Sequence, residues 1–210
     1  FSRRGRDRVS YVGEPLPGVE QRISAIGEIE VKSPGDMMGY YKNEEKTREA
    51  RTEDGFLMTG DKGEIDEQGR LKITGRIKEI FKTSKGKYVA PAPIENKIVG
   101  HDVLEMVCVA GAEQPQPYAL LMLSDETFAQ QADPAFRKEV ESSLLALMKN
   151  VNASVDPHEA LQFMVVVDQQ WTIENEFLTP TMKIKRNIIE DTYEPLQEGW
   201  YGSRQKIIWQ

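Results

Sequence analysis

The chain has 210 residues, of which 39% are hydrophobic and 29% are charged, a composition typical of a soluble globular protein. Its net charge of −7 argues against a nucleic-acid-binding protein, and no apolar run approaches the length of a membrane span. The single cysteine, Cys108, excludes a disulfide within the chain and favours a cytoplasmic location.

The first third of the chain predicts short strands and turns with little helix. Residues 11–35 are rich in Gly and Pro, and a short exposed helix is expected over 43–51, beginning at Asn43. Glycines punctuate the apolar runs that follow. Strands are predicted at 27–33, 56–58, 62–66 and 70–74.

After residue 75 the pattern changes to strands mixed with helices. Strands are predicted at 77–83, 103–110, 118–124 and 161–168, and helices at 91–100, 134–152 and 185–193. The helix 134–152 carries apolar residues every three or four positions, and 91–100 has Pro in its first turn. The order indicates an α+β fold: a small strand-rich, β-barrel-like subdomain, followed by an α+β domain with a small sheet flanked by helices.

Two residues fifteen positions apart are candidates for a nucleotide site. The carboxylate of Asp61, in Thr59-Gly60-Asp61, can accept from two neighbouring hydroxyls such as those of a ribose. The guanidinium of Arg76 offers a fork of donors for phosphate or ribose oxygens. Alternatively, Asp61 caps a turn and Arg76 is a surface residue. A hairpin that brings the two together would favour the nucleotide interpretation.

Positive charge is concentrated between Gly69 and Tyr88, a segment that contains seven Lys or Arg residues and a single acidic residue, Glu79. Such a segment provides a field for a polyphosphate, or it is the solvated face of a strand. Its turn, 84–87, could direct backbone amides at an anion but lacks the spacing of a P-loop. Lys183 lies at a loop–helix junction, where its ammonium could reach into a cleft or simply belong to a basic helix start.

Other features of the sequence argue against metal or triad chemistry. His101 and His158 have no neighbours at metal-ligand spacing, so no metal site is expected. No Ser-His-Asp pattern or nucleophile elbow is present. The amphipathic, aromatic tail at 199–210 either packs on its domain or touches a membrane surface, and packing is the favoured interpretation.

Three motifs, in this order, carry a family resemblance: GEIEVKSPGDMMGYYKNEEKT, DGFLMTGDKGEIDEQGRLKITGRIKEIFKTSKGKYVAPAPIE and LTPTMKIKR. With them the chain resembles, over nearly its whole length, the C-terminal part of an acyl-CoA synthetase of the adenylate-forming superfamily. Its variants of the second and third motifs are most similar to long-chain fatty acid CoA ligases.

The resemblance implies a reaction in two halves and a role for each motif. A fatty acid would react with ATP to give acyl-AMP and diphosphate, and coenzyme A would then displace AMP. Asp61 and Arg76 would contact the ribose of the adenylate, Lys78 would be the hinge, and Lys183 would reach the α-phosphate. The residues expected to face the cleft during thioester formation are Ser84, Lys85, Gly86 and Lys87, although Lys85-Gly86 stands where the family has a double glycine.

The resemblance also implies a domain organisation. Residues 1–75 would be the strand-rich end of a large N-terminal adenylation domain, 76–78 the hinge, and 79–210 the C-terminal lid. The family's phosphate loop and its segment for adenine and magnesium are missing, so the chain alone is expected to be inactive. Its expected partner is the rest of that domain in the same polypeptide, with fatty acid, ATP and coenzyme A as substrates and magnesium bound with ATP.

Three alternatives stay open from the sequence. The chain could belong to a ligase for another carboxylic acid, because no acyl pocket is present to identify the acid. It could also be a stand-alone binding module without catalysis. Finally, an otherwise cytoplasmic protein could make peripheral contact with a membrane through its tail, although no nucleic-acid partner is expected.

Overall fold

A computed structural model describes residues 11–210 and divides the chain into two compact units between Ile80 and Phe81. The α+β fold is confirmed: a curled antiparallel sheet comes first, and a sheet packed by helices follows. The first ten residues of the predicted first domain lie outside the described part. The predicted hinge, 76–78, falls just before the division, and its movement stays a prediction.

The first unit is built on a four-stranded antiparallel sheet. Its strands, in sheet order, are β1 (Glu20–Ile23), β2 (Glu28–Lys32), β3 (Leu57–Ile65) and β4 (Leu71–Arg76). Between β2 and β3 lies the helix α1 (Glu44–Glu49), which Asn43 caps, as predicted, by accepting from the Lys46 N–H. On its outer side β4 is bridged by Gly13, which pairs antiparallel with Leu71.

A bulge makes β3 one strand where the sequence predicted two. Gly60 has a left-handed φ of 74°, which reads as a break between two strands. The pairing with β4 instead shifts by one residue between Lys62 and Gly63 and then continues. A Cβ at Gly63 would lie 2.6 Å from Ile29 Cδ1 and 2.8 Å from the Lys72 carbonyl oxygen, so glycine is needed for this close approach.

The predicted strand 77–83 is wrong. Ile77–Glu79 form a single 3-10 turn, and the strand is limited to β5 (Phe81–Lys82), paired with β6 (Tyr88–Val89). Ile77 and Ile80 are three residues apart, which is the period of a 3-10 turn and not the alternation of a strand.

The second unit places a four-stranded sheet between two layers of helices. Its strands are β7 (Leu104–Ala110), β8 (Tyr118–Leu123), β9 (Met164–Val166) and β10 (Ile207–Trp209), and its helices are α2 (Pro91–Ile98), α3 (Asp125–Phe128), α4 (Pro134–Asn152), α5 (Arg186–Tyr193) and α6 (Gln197–Ser203). The sheet order is β10-β9-β8-β7, with β7 antiparallel to β8 and the other pairs parallel.

Both faces of this sheet are buried. Because successive residues of a strand point to opposite sides, neighbouring residues of β8 belong to different apolar clusters. Leu121 belongs to the apolar cluster that includes residues of α2 and α4, such as Ile94 and Leu144. Leu120 belongs to the second cluster, on the side of α5 and α6, which is rich in aromatic rings such as Trp200. The helix predicted at 134–152 is confirmed with the same bounds.

The C-terminal tail packs within the second unit. Trp200 of α6 is buried, β10 pairs with β9, and Trp209 Nε1 donates to Glu141 at 2.9 Å. The sequence missed α3, α6 and β10, and it made β9 too long, because such short elements depend on tertiary packing more than on local pattern. Across residues 11–210, no helix combines the length and the apolar character that crossing a bilayer requires.

We expect the first unit to open before the second. Within residues 11–80 the buried hydrophobic side chains are those of Ile29, Phe56 and Leu71, whereas the second unit buries two large clusters. Amides of β2 and β3 should therefore exchange with deuterium about 100-fold faster than those of β8, measured by mass spectrometry on peptic fragments. Equal protection of the two sheets would contradict this order.

Candidate functional site

The β3–β4 hairpin places Asp61 directly opposite Arg76. The two residues are register partners, and Arg76 Nε lies 3.1 Å from Asp61 Oδ1. The Asp61 side chain is 26% exposed and that of Arg76 is 57% exposed, so a ligand at the surface can reach both. The hairpin considered from the sequence thus brings the two candidate residues together.

A charged turn fixes the register of this hairpin. Asp66 Oδ1 accepts from the N–H groups of Gln68 and Arg70, each at 3.0 Å, and its Oδ2 accepts from Arg70 Nε at 2.8 Å. The Arg70 guanidinium holds the pKa of the Asp66 carboxyl below its usual range. The stability that this contact adds is therefore complete above the ordinary carboxyl pKa and is lost as the pH falls through the lowered one.

Contacts with β2 hold the backbone that leads into Asp61. The Thr59 hydroxyl donates to the Ile29 carbonyl at 2.8 Å and accepts from the Asp61 N–H at 3.1 Å. Glu28, which is only 8% exposed, accepts from the Gly60 N–H at 2.8 Å. The sequence did not single out Glu28, because acids at alternate positions of a strand are as easily explained by a solvent-facing side.

Lys183 stands on a tight turn between the buried Leu178 and α5. The Thr179 N–H donates to the Lys183 carbonyl at 2.8 Å, and the Lys183 N–H donates to the Thr179 hydroxyl at 3.1 Å. Met182 holds a left-handed φ of 60° and donates to the Thr179 carbonyl at 2.9 Å. The loop–helix junction predicted here is confirmed, and the Lys183 side chain is exposed.

The 84–87 loop closes the β5–β6 hairpin with a turn that requires glycine. Gly86 has a left-handed φ of 77°, and its N–H donates to the Thr83 carbonyl at 2.9 Å. The N–H of Ser84 donates to the Gln114 carbonyl at 3.0 Å, and that of Lys87 to the Thr83 hydroxyl at 3.3 Å. These three amides are used within the protein. The exposed side chains of Lys85 and Lys87 are therefore what the loop can offer to an anion.

The candidate residues are divided between the two units. Asp61, Arg76 and Lys78 belong to the first, where Lys78 is exposed on the 3-10 turn after β4. The 84–87 loop and Lys183 belong to the second. In the described part of the chain, no three His, Cys, Asp or Glu side chains cluster as they would around a metal ion.

The fold is that of adenylate-forming enzymes. The adenylation domain of a carboxylate reductase from Mycobacterium chelonae superposes with a TM-score of 0.73, at 24% identity over 90% of this chain and 31% of that one. ATP-bound MatB from Rhodopseudomonas palustris gives a TM-score of 0.63 at 26% identity, over 90% of this chain and 37% of its own.

Residues 78–205 match the AMP-binding enzyme C-terminal domain, and the chain belongs to this family. It is 34% identical to the long-chain-fatty-acid–CoA ligase FadD15 of Mycobacterium tuberculosis, over 93% of this chain and 34% of the ligase. It is 35% identical to human long-chain-fatty-acid–CoA ligase 1, over 92% of this chain and 31% of that protein. The chain therefore spans about a third of the length of these relatives.

Glu28→Ala should destabilise the first unit because it removes a charged acceptor from the half-buried Gly60 N–H, at a cost of about 1.5–3 kcal/mol. Glu64→Ala is the matched control: Glu64 is an exposed residue of β3 whose ion pair with Lys72, at 2.9 Å, should contribute much less. Urea unfolding followed by far-UV circular dichroism, with exchange of the Gly60 amide, measures both effects. Similar losses in the two variants would show that the Glu28 contact does not hold this segment.

Proposed function

We propose that this chain is the C-terminal part of an ATP-dependent long-chain fatty acid CoA ligase. The enzyme would convert a fatty acid, ATP and coenzyme A into acyl-CoA, AMP and diphosphate through an acyl-adenylate. The observation that carries the proposal is the Asp61–Arg76 pair, 3.1 Å apart across the β3–β4 hairpin. It lies in a chain whose relatives, at 34% and 35% identity, are named long-chain fatty acid CoA ligases.

In the proposed enzyme, Asp61 and Arg76 hold the ribose of the nucleotide. The two carboxylate oxygens of Asp61 accept from the adjacent ribose hydroxyls, while Arg76 orients the carboxylate and adds donors of its own. Both groups stand on a paired hairpin, which fixes their geometry before the nucleotide arrives. The ATP-bound state of MatB supports a nucleotide as the ligand.

Lys183 provides positive charge for the adenylation half of the reaction. Negative charge builds up on the α-phosphate and the attacking carboxylate as they approach each other. An ammonium on a tightly bonded turn stabilises this charge more in the transition state than in the ground state. The exposure of the Lys183 side chain supports such a role, because it leaves the ammonium able to enter a cleft on another part of the enzyme.

The two half-reactions then require the second unit to turn about Lys78. Once acyl-AMP has formed, Lys183 must leave so that the thiol of coenzyme A can enter. The loop of Ser84, Lys85, Gly86 and Lys87 replaces it at the cleft. Its exposed lysines suit the phosphates of coenzyme A, whereas magnesium would be bound with ATP by residues outside this chain.

Lys183→Ala, made in the full-length enzyme that carries this chain, should slow acyl-adenylate formation by about 100- to 1000-fold. Thioester formation from supplied acyl-AMP should be largely spared, because that half uses the rotated lid. Diphosphate exchange with palmitate and release of acyl-CoA from acyl-AMP measure the halves separately. Lys185→Ala, two residues away, is the control and should leave both rates near normal. Equal losses in the two halves would rule out the role proposed for Lys183.

Lys78→Pro should impair the other half of the reaction. Proline fixes its own φ near −65° and restricts Ile77 before it, so the 3-10 turn should lose the freedom to rotate. Adenylation is expected to survive better than thioester formation in the same pair of assays. Lys78→Ala separates loss of the side chain from loss of backbone freedom and should stay close to wild type. Unchanged turnover in the proline variant would show that Lys78 is not the pivot.

A further inference from the structure

The turn that carries Lys183 is tied to the interior through Arg186, the first residue of α5. The Arg186 side chain is 12% exposed and reaches across to β7 and α2. Its Nη1 donates to the Val109 carbonyl at 2.8 Å and contacts Cys108 Sγ at 3.3 Å, while its Nη2 donates to Glu95 Oε1 at 2.7 Å. A residue three positions after Lys183 is therefore held by groups from two other elements.

These contacts satisfy both backbone polar groups of one residue, Val109, on the edge of the sheet. The outer strand of the four is β7, and the Val109 N–H donates to Glu95 Oε1 at 2.7 Å while the Val109 carbonyl accepts from Arg186. The ion pair thus provides the donor and the acceptor that a neighbouring strand would otherwise supply. The Arg186 and Glu95 side chains are 12% and 14% exposed, so removing either partner would leave the other charge less well compensated in a poorly solvated place.

The pair connects the two segments that the proposed reaction uses in turn. Glu95 lies on α2, which begins at Pro91, directly after the hairpin that carries the 84–87 loop. Arg186 opens the helix that follows the Lys183 turn. A change in the Glu95–Arg186 contact would shift α5 against α2, and the short covalent link from Arg186 would carry that shift to Lys183.

We infer that the Arg186–Glu95 ion pair is a positioning device that fixes the Lys183 turn on the edge of β7, at a constant place relative to the 84–87 loop. This inference rests on the proposed function for its catalytic consequence, but its structural part does not. Arg186 is a positioning residue, because its guanidinium, through Val109, Cys108 and Glu95, anchors the start of the helix that follows the turn.

The structural part is tested in the 210-residue chain by amide exchange. Arg186→Met should speed exchange of the Thr179, Met182 and Lys183 amides by about ten- to 100-fold, the usual effect of losing a charged hydrogen bond, while Leu121 in β8 is little changed. Glu95→Gln should act in the same direction. The double variant should be no worse than Arg186→Met alone, because Arg186→Met already removes the Arg186–Glu95 contact that Glu95→Gln weakens. Arg186→Lys keeps the charge but loses the forked guanidinium, so exchange rates of the turn amides in this variant should lie between those of the wild type and of Arg186→Met.

Arg137→Met is the control for the loss of any half-buried arginine. Arg137 lies on α4, and its guanidinium is 4.8 Å from the centre of the Trp209 ring of β10. It should not speed exchange at the turn. The inference is overturned if the three turn amides change no more than Leu121, or if Arg137→Met loosens them equally. If Arg186→Met does not fold, the inference is tested with Glu95→Gln and Arg186→Lys, by the same comparison of the turn amides with the Leu121 amide.

The catalytic part is tested in the full-length enzyme. Arg186→Met should lower kcat for acyl-adenylate formation by about tenfold, with the KM for ATP little changed, because the ammonium is misplaced while the ribose contacts remain. Arg186→Lys should restore part of that rate. If the turn loosens but adenylation is unaffected, the positioning contact stands and the role proposed for Lys183 fails. If the turn stays firm, the positioning inference itself is wrong.

Discussion

The register of β3 on β4 is the constraint on which the candidate nucleotide site depends. Ile65 pairs with Leu71 next to the Asp66–Arg70 turn, and the bulge after Gly63 then moves the pairing by one residue. Without that bulge Asp61 would lie opposite Gly75, and Arg76 would fall outside its reach. Glycine at position 63 allows the close approach of the strands at the bulge, because a Cβ there would collide with Ile29 and with the Lys72 carbonyl. A turn and a glycine therefore place the carboxylate against the guanidinium.

The two units hold their candidate residues in different ways. The backbone before Asp61 is fixed by polar contacts, such as the buried Glu28 carboxylate on the Gly60 N–H, within a unit of few buried apolar side chains. The Lys183 turn and the 84–87 loop project from a unit whose sheet is buried on both faces. An exposed lysine can be accurately placed there, because the elements behind it are packed against two apolar clusters.

The basic segment from Gly69 to Tyr88 contains two classes of basic side chain. Arg70, Lys72 and Arg76 pair with Asp66, Glu64 and Asp61, so their charge is largely committed within the hairpin. Lys78, Lys82, Lys85 and Lys87 are exposed. The solvated-face interpretation thus fits the hairpin in part, while the positive field available to a phosphate comes from the lysines that follow it.

The sequence by itself determined the elements whose signals are local and the family to which the chain belongs. The Asn43 cap, the apolar stripe of 134–152 and the Pro start of α2 each depend on residues a few positions apart, and the ordered motifs named Asp61, Arg76 and Lys183. Only the tertiary structure decided the 3-10 turn at Ile77–Glu79, the strand β10 and the contacts of Glu28 and Arg186. Glu28 meets Gly60 across 32 residues and Arg186 meets Glu95 across 91, and contacts at such separations leave no periodic pattern in the sequence.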